Sequence, residues 1–222
     1  MDSVISVYKP YGITSAELCG KIKSTLYKKN KIKKLKVGHG GTLDKRAEGV
    51  MVIGIGKGCK KLPEYLKGDK VYIGTGFIGI QTDTLDTGGE IIDRQDFNHI
   101  SEKDFDLVLD KFQGDILQIP PLYSALKIKG KRASDLTMKG IKVELKPRPV
   151  TIYSLNKKSF EIKKDGIHFE IEVSVSGGTY IRSLIRDIGK ELNSCAYMTS
   201  LVRVKQGTFT LEDTIDIDNI NI

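Results

Sequence analysis

Apolar positions recur along this chain with two periods. Phe105, Val108, Leu109 and Phe112 fall at i, i+3, i+4 and i+7, the spacing of one helix face. Ser101 and Asp104 can cap that helix and Gly114 can end it. Leu18, Ile22 and Leu26 form a second stripe at four-residue spacing, behind the capping-box pair Thr14 and Glu17. Tyr180 to Leu192 reads as a third helix, opened by the turn Gly177-Gly178-Thr179. Ile167, Phe169, Ile171, Val173 and Val175 alternate with mostly polar residues and predict a half-buried strand. Ile5 to Tyr8 reads as a short strand, ended by the turn signal Lys9-Pro10-Tyr11-Gly12. Further strands are expected at 70–78, 115–119, 149–156 and 201–204. Strands and helices are interspersed without a βαβ repeat. The expected class is therefore α+β, with a mixed, mostly antiparallel sheet flanked by helices.

The length of 222 residues suits one sizeable domain, and 1–222 is expected to be a single one. No run of about 18 apolar residues predicts a membrane span. Met1-Asp2-Ser3-Val4 is no basic stretch leading into an apolar one, so a secretory signal is not expected. Cys19, Cys59 and Cys195 are odd in number and widely spaced, which argues against a disulfide framework and for an intracellular, reducing compartment.

Charge changes the picture more than composition does. The formal net charge is +8. Residues 1–62 hold 14 Lys/Arg against 4 Asp/Glu, a net of +10. Residues 121–150 hold 8 against 2, and the stretch 63–120 between them holds 5 against 12. Eight lysines and no acid lie between Lys21 and Lys36. A solvated lysine surface accounts for the total. Segregation of basic from acidic stretches points instead to a polyanion, most simply a nucleic acid.

Candidate chemistry is concentrated in a few segments. In Gly38-His39-Gly40-Gly41-Thr42-Leu43-Asp44, three glycines surround a histidine, with an aspartate just beyond. Such a loop lets backbone approach a ligand. No Gly-Lys-Ser/Thr follows, so it is not a P-loop. Asp44 alone reads as readily as a turn aspartate. Tyr72, opening a strand after Asp69-Lys70-Val71, is either a core ring or a stacking platform. Arg182, two residues after Tyr180, would ordinarily be a surface charge. Asp83 and Asp86 suggest a turn rather than a calcium loop, because the later glutamate of an EF-hand is missing. His99 and His168 are isolated, so no histidine-based metal site can be assembled.

In order and spacing, six segments together resemble the TruB family of tRNA pseudouridine synthases. They are Lys9-Pro10 with Gly12-Ile13-Thr14-Ser15, the Gly38–Asp44 loop, Asp69–Tyr72, Thr82–Asp86, Pro120–Lys127 and Gly178–Leu184. The resemblance runs from about residue 4 to residue 211. Gly40-Gly41, the stretch Gly54–Gly58 and Asp187–Leu192 look closer to its eukaryotic branch. Lys45-Arg46 departs from the family's usual Pro-Leu. The PUA domain of bacterial members is not expected here.

The resemblance implies a pseudouridine synthase catalytic fold, with 121–150 as a basic, thumb-like RNA-binding insertion. It implies conversion of uridine to pseudouridine in the TΨC loop of tRNA, at position 55, without metal or other cofactor. Asp44 is then the catalytic carboxylate. Tyr72 stacks on the uracil, and Arg182 keeps Asp44 ionised and oriented. His39 occupies the space the flipped base leaves behind or contacts the displaced backbone, while Tyr180 and Leu201 line the pocket. Lys60, Lys129, Lys131 and Arg132 meet phosphates, and the lysines at 28–36 extend that grip. The partner is the T-arm stem-loop, met by a monomer and away from membranes. Two alternatives stay open: a non-catalytic RNA-binding or tRNA-folding protein, and a pseudouridine synthase acting on other RNAs such as T-loop-like mRNA sites.

Overall fold

The computed structural model describes residues 2–31, 35–217 and 220. In chain order the elements are strand β1 (Ser3–Lys9), helix α1 (Ser15–Asn30), strands β2 (Val37–His39) and β3 (Glu48–Ile55), a 3-10 turn over Gly56–Lys61, and helix α2 (Leu62–Lys67). Strands β4 (Lys70–Ile78), β5 (Ile80–Thr82) and β6 (Ile91–Arg94) precede helix α3 (Glu102–Lys111). Strands β7 (Gly114–Gln118), β8 (Lys127–Ile128) and β9 (Lys131–Arg132) lead into helix α4 (Ala133–Met138). Strands β10 (Arg148–Ile162) and β11 (Ile167–Val175), helix α5 (Ile181–Glu191), and strands β12 (Ala196–Gln206) and β13 (Phe209–Thr210) complete the order. The chain divides into two compact units, one of residues 1–73, 176–178 and 201–222, the other of 74–175 and 179–200.

The first unit is built on β3. Val50, Met51, Val52, Ile53 and Ile55 are fully buried. This uninterrupted apolar run explains why no alternation announced the strand: it is covered on both faces. β1 pairs with it antiparallel, from Ser3 opposite Ile55 to Lys9 opposite Gly49. β2 also pairs antiparallel, with His39 opposite Ile53. β12 runs parallel to it, with Val202 opposite Glu48 and Arg203 opposite Gly49. Gly49 has φ +108, and a Cβ there would run into the Arg203 carbonyl oxygen, so this crossing needs glycine. Helix α1 starts at the capping box read from Thr14 and Glu17. Its stripe of Leu18, Ile22 and Leu26 is wholly buried, worth about 1.5–3 kcal/mol per side chain against exposure. The helix ends at Lys31, which takes the left-handed conformation at φ 57.

In the second unit β10 lies between β11 and β7, antiparallel to both. It extends to Ile162, six residues beyond the expected end, and two register shifts against β11 accompany that length. Helix α3 carries the Ser101–Asp104 capping box. Its Phe105 ring sits 5.0 Å from Phe160 and 4.9 Å from Phe169. Gly76 in β4 makes room for that cluster, because a Cβ there would enter the Phe169 ring. Helix α5 buries Ile181, Leu184, Ile185 and Ile188, one face at helical spacing. Within 121–150, β8 and β9 form a hairpin whose turn residues, Lys129 and Gly130, have φ 47 and 83. Two positive φ values are what a tight two-residue hairpin turn requires. A parallel pair among antiparallel ones, with flanking helices, is the α+β mixed-sheet class expected from the interspersed pattern.

Candidate active site

Asp44 belongs to the first unit. It is half-buried, on the loop between β2 and β3, and its carbonyl accepts a hydrogen bond from the Ala47 N–H at 3.1 Å. That loop is fastened along its whole length. The Ser15 hydroxyl at the start of α1 donates to the Leu43 carbonyl and accepts from the Leu43 N–H, both at 2.9 Å. The Gly12 N–H donates to the Lys45 carbonyl at 2.8 Å. Lys9, fully buried at the end of β1, donates its ammonium to the carbonyls of Ala47 and Pro10. Arg203, 1% exposed, donates from Nε to the Val50 carbonyl at 2.7 Å and from Nη2 to the Gly41 carbonyl at 3.2 Å. The Gln206 amide donates to the Gly40 carbonyl at 2.7 Å.

Buried positive charge dominates the electrostatics here. Burial pushes the Lys9 ammonium down to about 8, while the carboxylates of Asp44 and Glu48 oppose that shift. Lys70, at the start of β4, donates to the carbonyls of Leu66 and Gly68. Burial also lowers it to about 8, and the Arg203 guanidinium adds to the effect. Burial and then Arg203 likewise lower the His39 imidazole from its ordinary value, disfavouring the charged ring. The buried Nδ1 of His39 has no hydrogen-bond partner.

Tyr72 is 7% exposed and Leu201 6%. Tyr72 lies two residues beyond Lys70 in β4, and Leu201 two residues before Arg203 in β12. In each strand the pair therefore shares one face. Both faces adjoin the glycine loop, because a Cβ on Gly41 would lie 3.6 Å from Arg203 Nη1 and 3.9 Å from Lys70 Cε. Lys60 is exposed on the 3-10 turn.

Arg182 belongs to the second unit, at the start of α5. It is 4% exposed, against the ordinary expectation of a surface arginine. Nη1 donates to the Thr84 carbonyl and Nη2 to the Tyr123 carbonyl, each at 2.9 Å. Asp86 Oδ2 lies 3.8 Å from Nη1. Asp86 is itself fixed, since Oδ1 accepts from the Thr84 hydroxyl at 2.8 Å and the Gly88 N–H at 2.7 Å. Leu85, between Thr84 and Asp86, is held at φ 62. The neighbouring Tyr180 is half-buried, and its N–H donates to Gln118 Oε1 at 2.8 Å.

Lys129, Lys131 and Arg132 are exposed on the β8–β9 hairpin. Lys127, Lys131, Arg132 and Lys139 border a shallow concavity there. Lys31 and Lys36 are exposed, whereas Lys33 and Lys34 lie outside the described residues.

Sequence reasoning assigned Asp86 to a turn and did not single out Ser15, Lys70, Arg203 or Gln206. The signal for Asp86 was its place in the Thr82–Asp86 segment. A glutamine and an arginine inside an apolar strand were the signal in β12.

Residues 28–181 match the TruB family pseudouridylate synthase (N terminal domain). The chain belongs to the TruB family. It is 46% identical over 224 residues to pseudouridylate synthase TRUB1 of Homo sapiens, covering 96% of this chain and 63% of that protein. It is 42% identical to tRNA pseudouridine synthase B of Clostridium novyi, covering 100% of this chain and 74% of that protein. Among solved structures it is similar to a chain of a Cbf5-Nop10-Gar1 complex, with a TM-score of 0.67 and 29% identity, covering 93% of this chain and 49% of that one. The chain thus spans under two thirds of the human relative and about half of the solved one.

Proposed function

We propose that this protein isomerises uridine to pseudouridine in the TΨC loop of tRNA, at position 55. The observation that carries the proposal is the fastening of the Asp44 loop by Ser15, Lys9, Arg203 and Gln206. A protein that only binds RNA gains nothing from burying two cations to fix one carboxylate-bearing loop, since burial of charge is costly.

In the reaction the bond from C1′ to N1 of uracil breaks, the base turns, and C1′ bonds to C5. C5 loses a proton and N1 gains one, so atoms and electrons balance without a redox partner. Asp44 supplies the carboxylate, acting as nucleophile or base. Tyr72 offers its ring for stacking on the uracil and its hydroxyl for the C5 proton. Arg182 is the fixed guanidinium, held in plane by two carbonyls and facing Asp86. Tyr180 and Leu201 line the pocket of the flipped nucleotide, whose extraction costs a few kcal/mol, and His39 takes the space it vacates or meets the displaced backbone. Lys60, Lys129, Lys131 and Arg132 hold phosphates of the T-arm stem-loop, reading shape more than sequence. The protein works as an intracellular monomer on tRNA. Among the described residues no helix is long and apolar enough to cross a membrane.

The test is incubation of the purified protein with a T-arm stem-loop, followed by mapping of pseudouridine. Formation at position 55 alone is the expected result. Tight binding of the RNA with no pseudouridine would favour the non-catalytic reading.

A further inference from the structure

Gln206 closes β12 and is fully buried. Its amide makes three hydrogen bonds to three different segments. Oε1 accepts from the Val52 N–H in β3 at 3.2 Å. Nε2 donates to the Gly40 carbonyl at 2.7 Å and to the Tyr65 carbonyl in α2 at 3.3 Å. These partners fix which end is oxygen, since a backbone N–H requires an acceptor and a carbonyl requires a donor. The Gly40 N–H donates in turn to the Val52 carbonyl at 2.8 Å, so the glycine loop and β3 are laced together through Gln206. The approach is close enough that a Cβ on Gly40 would lie 2.7 Å from Tyr65 Cβ, and one on Gly41 3.1 Å from Gln206 Nε2.

We propose that Gln206 is a positioning residue for Asp44, setting the height of the Gly40-Gly41 loop so that the carboxylate four residues further on meets the target nucleotide. The inference rests on the catalytic reading of Asp44. Only a neutral group that both donates and accepts fits this place. A second cation would add to Arg203 and Lys70, and a carboxylate would turn an oxygen towards the Gly40 and Tyr65 carbonyls. An apolar side chain would leave one N–H and two carbonyls without the partner they have here. The three hydrogen bonds of Gln206 all go to backbone, so its loss should shift the reacting group without removing any hold on the RNA.

The test is Gln206→Met, similar in length but without the amide, measured beside Asp44→Asn and the stability control Leu26→Ala in the first unit. Single-turnover isomerisation of the stem-loop, its Kd and the Tm are read for each. For Gln206→Met the expected rate is about 10- to 100-fold down, the cost typical of a misplaced reacting group, with Kd within about threefold of wild type. Leu26→Ala should lower Tm at least as far, yet keep the rate. A wild-type rate in Gln206→Met, or an equal loss of rate in Leu26→Ala, overturns the positioning role. If Gln206→Met does not fold, Gln206→Asn, which keeps the amide one methylene back, decides by the same split, and failure of both to fold assigns the residue to stability alone. Activity in Asp44→Asn would instead strike at the catalytic reading beneath.

Discussion

Replacing Arg182 with lysine keeps the charge and removes the fork. Two planar donors each meet a carbonyl at 2.9 Å, Thr84 on the β5–β6 connection and Tyr123 after β7. One ammonium cannot occupy both donor positions, and the residue is only 4% exposed, so water does not replace the lost bond. A buried carbonyl left unpaired costs about 1–3 kcal/mol. If the guanidinium acts where it is held, that penalty reaches the transition state, and at about 1.4 kcal/mol per tenfold the rate falls roughly 5- to 150-fold. The assay is single-turnover release of tritium from C5 of labelled uridine in the stem-loop, with a thermal melt of the free protein. Both the rate and the Tm should drop. An Arg182→Lys protein with lowered Tm but wild-type rate would confine the arginine to a structural role. Unchanged values of both would refute the hydrogen-bond reasoning.

Lys70 makes stability depend on alkaline pH. Its folded value of about 8 lies below the ordinary 10.5, so the unfolded chain holds this proton more tightly. Between those values, rising pH favours the folded state, and wild type should gain stability relative to Lys70→Met in melts from pH 8 to 10; a constant difference would deny the shift. The exposed Lys129, Lys131 and Arg132 should set part of the salt dependence of RNA binding. Changing all three to glutamine should flatten the log–log slope by about 0.7–0.9 for each phosphate no longer neutralised, and an unchanged slope would make them a solvated surface.

Periodicity made part of this fold legible before any coordinates. The stripe Leu18, Ile22, Leu26, the face Phe105–Phe112 and the alternation from Ile167 to Val175 each bury one side only, so position alone reveals them. β3 escaped because burial on both faces erases alternation. In β12 Leu201 and Arg203 are buried on one face and Gln206 at the end of the strand, while Val202 and Val204 are less buried. Hydrophobicity would have turned that strand the other way. What reverses it is a set of backbone carbonyls, at Val50, Gly41 and Gly40, that need buried donors. Such partners are distant in sequence and leave no local pattern. Asp44, Tyr72 and Arg182 were singled out as a candidate site only through the ordered resemblance of six segments. Asp86 lay within one of those segments and read as a turn, as the bond from the Gly88 N–H to its Oδ1 bears out, whereas its approach to Arg182 crosses nearly a hundred residues of chain and leaves no local pattern.

The central claim is that Asp44 performs chemistry on a uridine, and Asp44→Asn tests it most directly. The substitution keeps the size of the side chain and removes its charge. Mapped on a T-arm stem-loop under single turnover, wild type should convert position 55. The variant should form no pseudouridine while its Kd stays within about tenfold, since the lost interaction belongs to the transition state. Pseudouridine formed by Asp44→Asn at more than about a hundredth of the wild-type rate would contradict the account, because one missing catalytic charge should cost more than that.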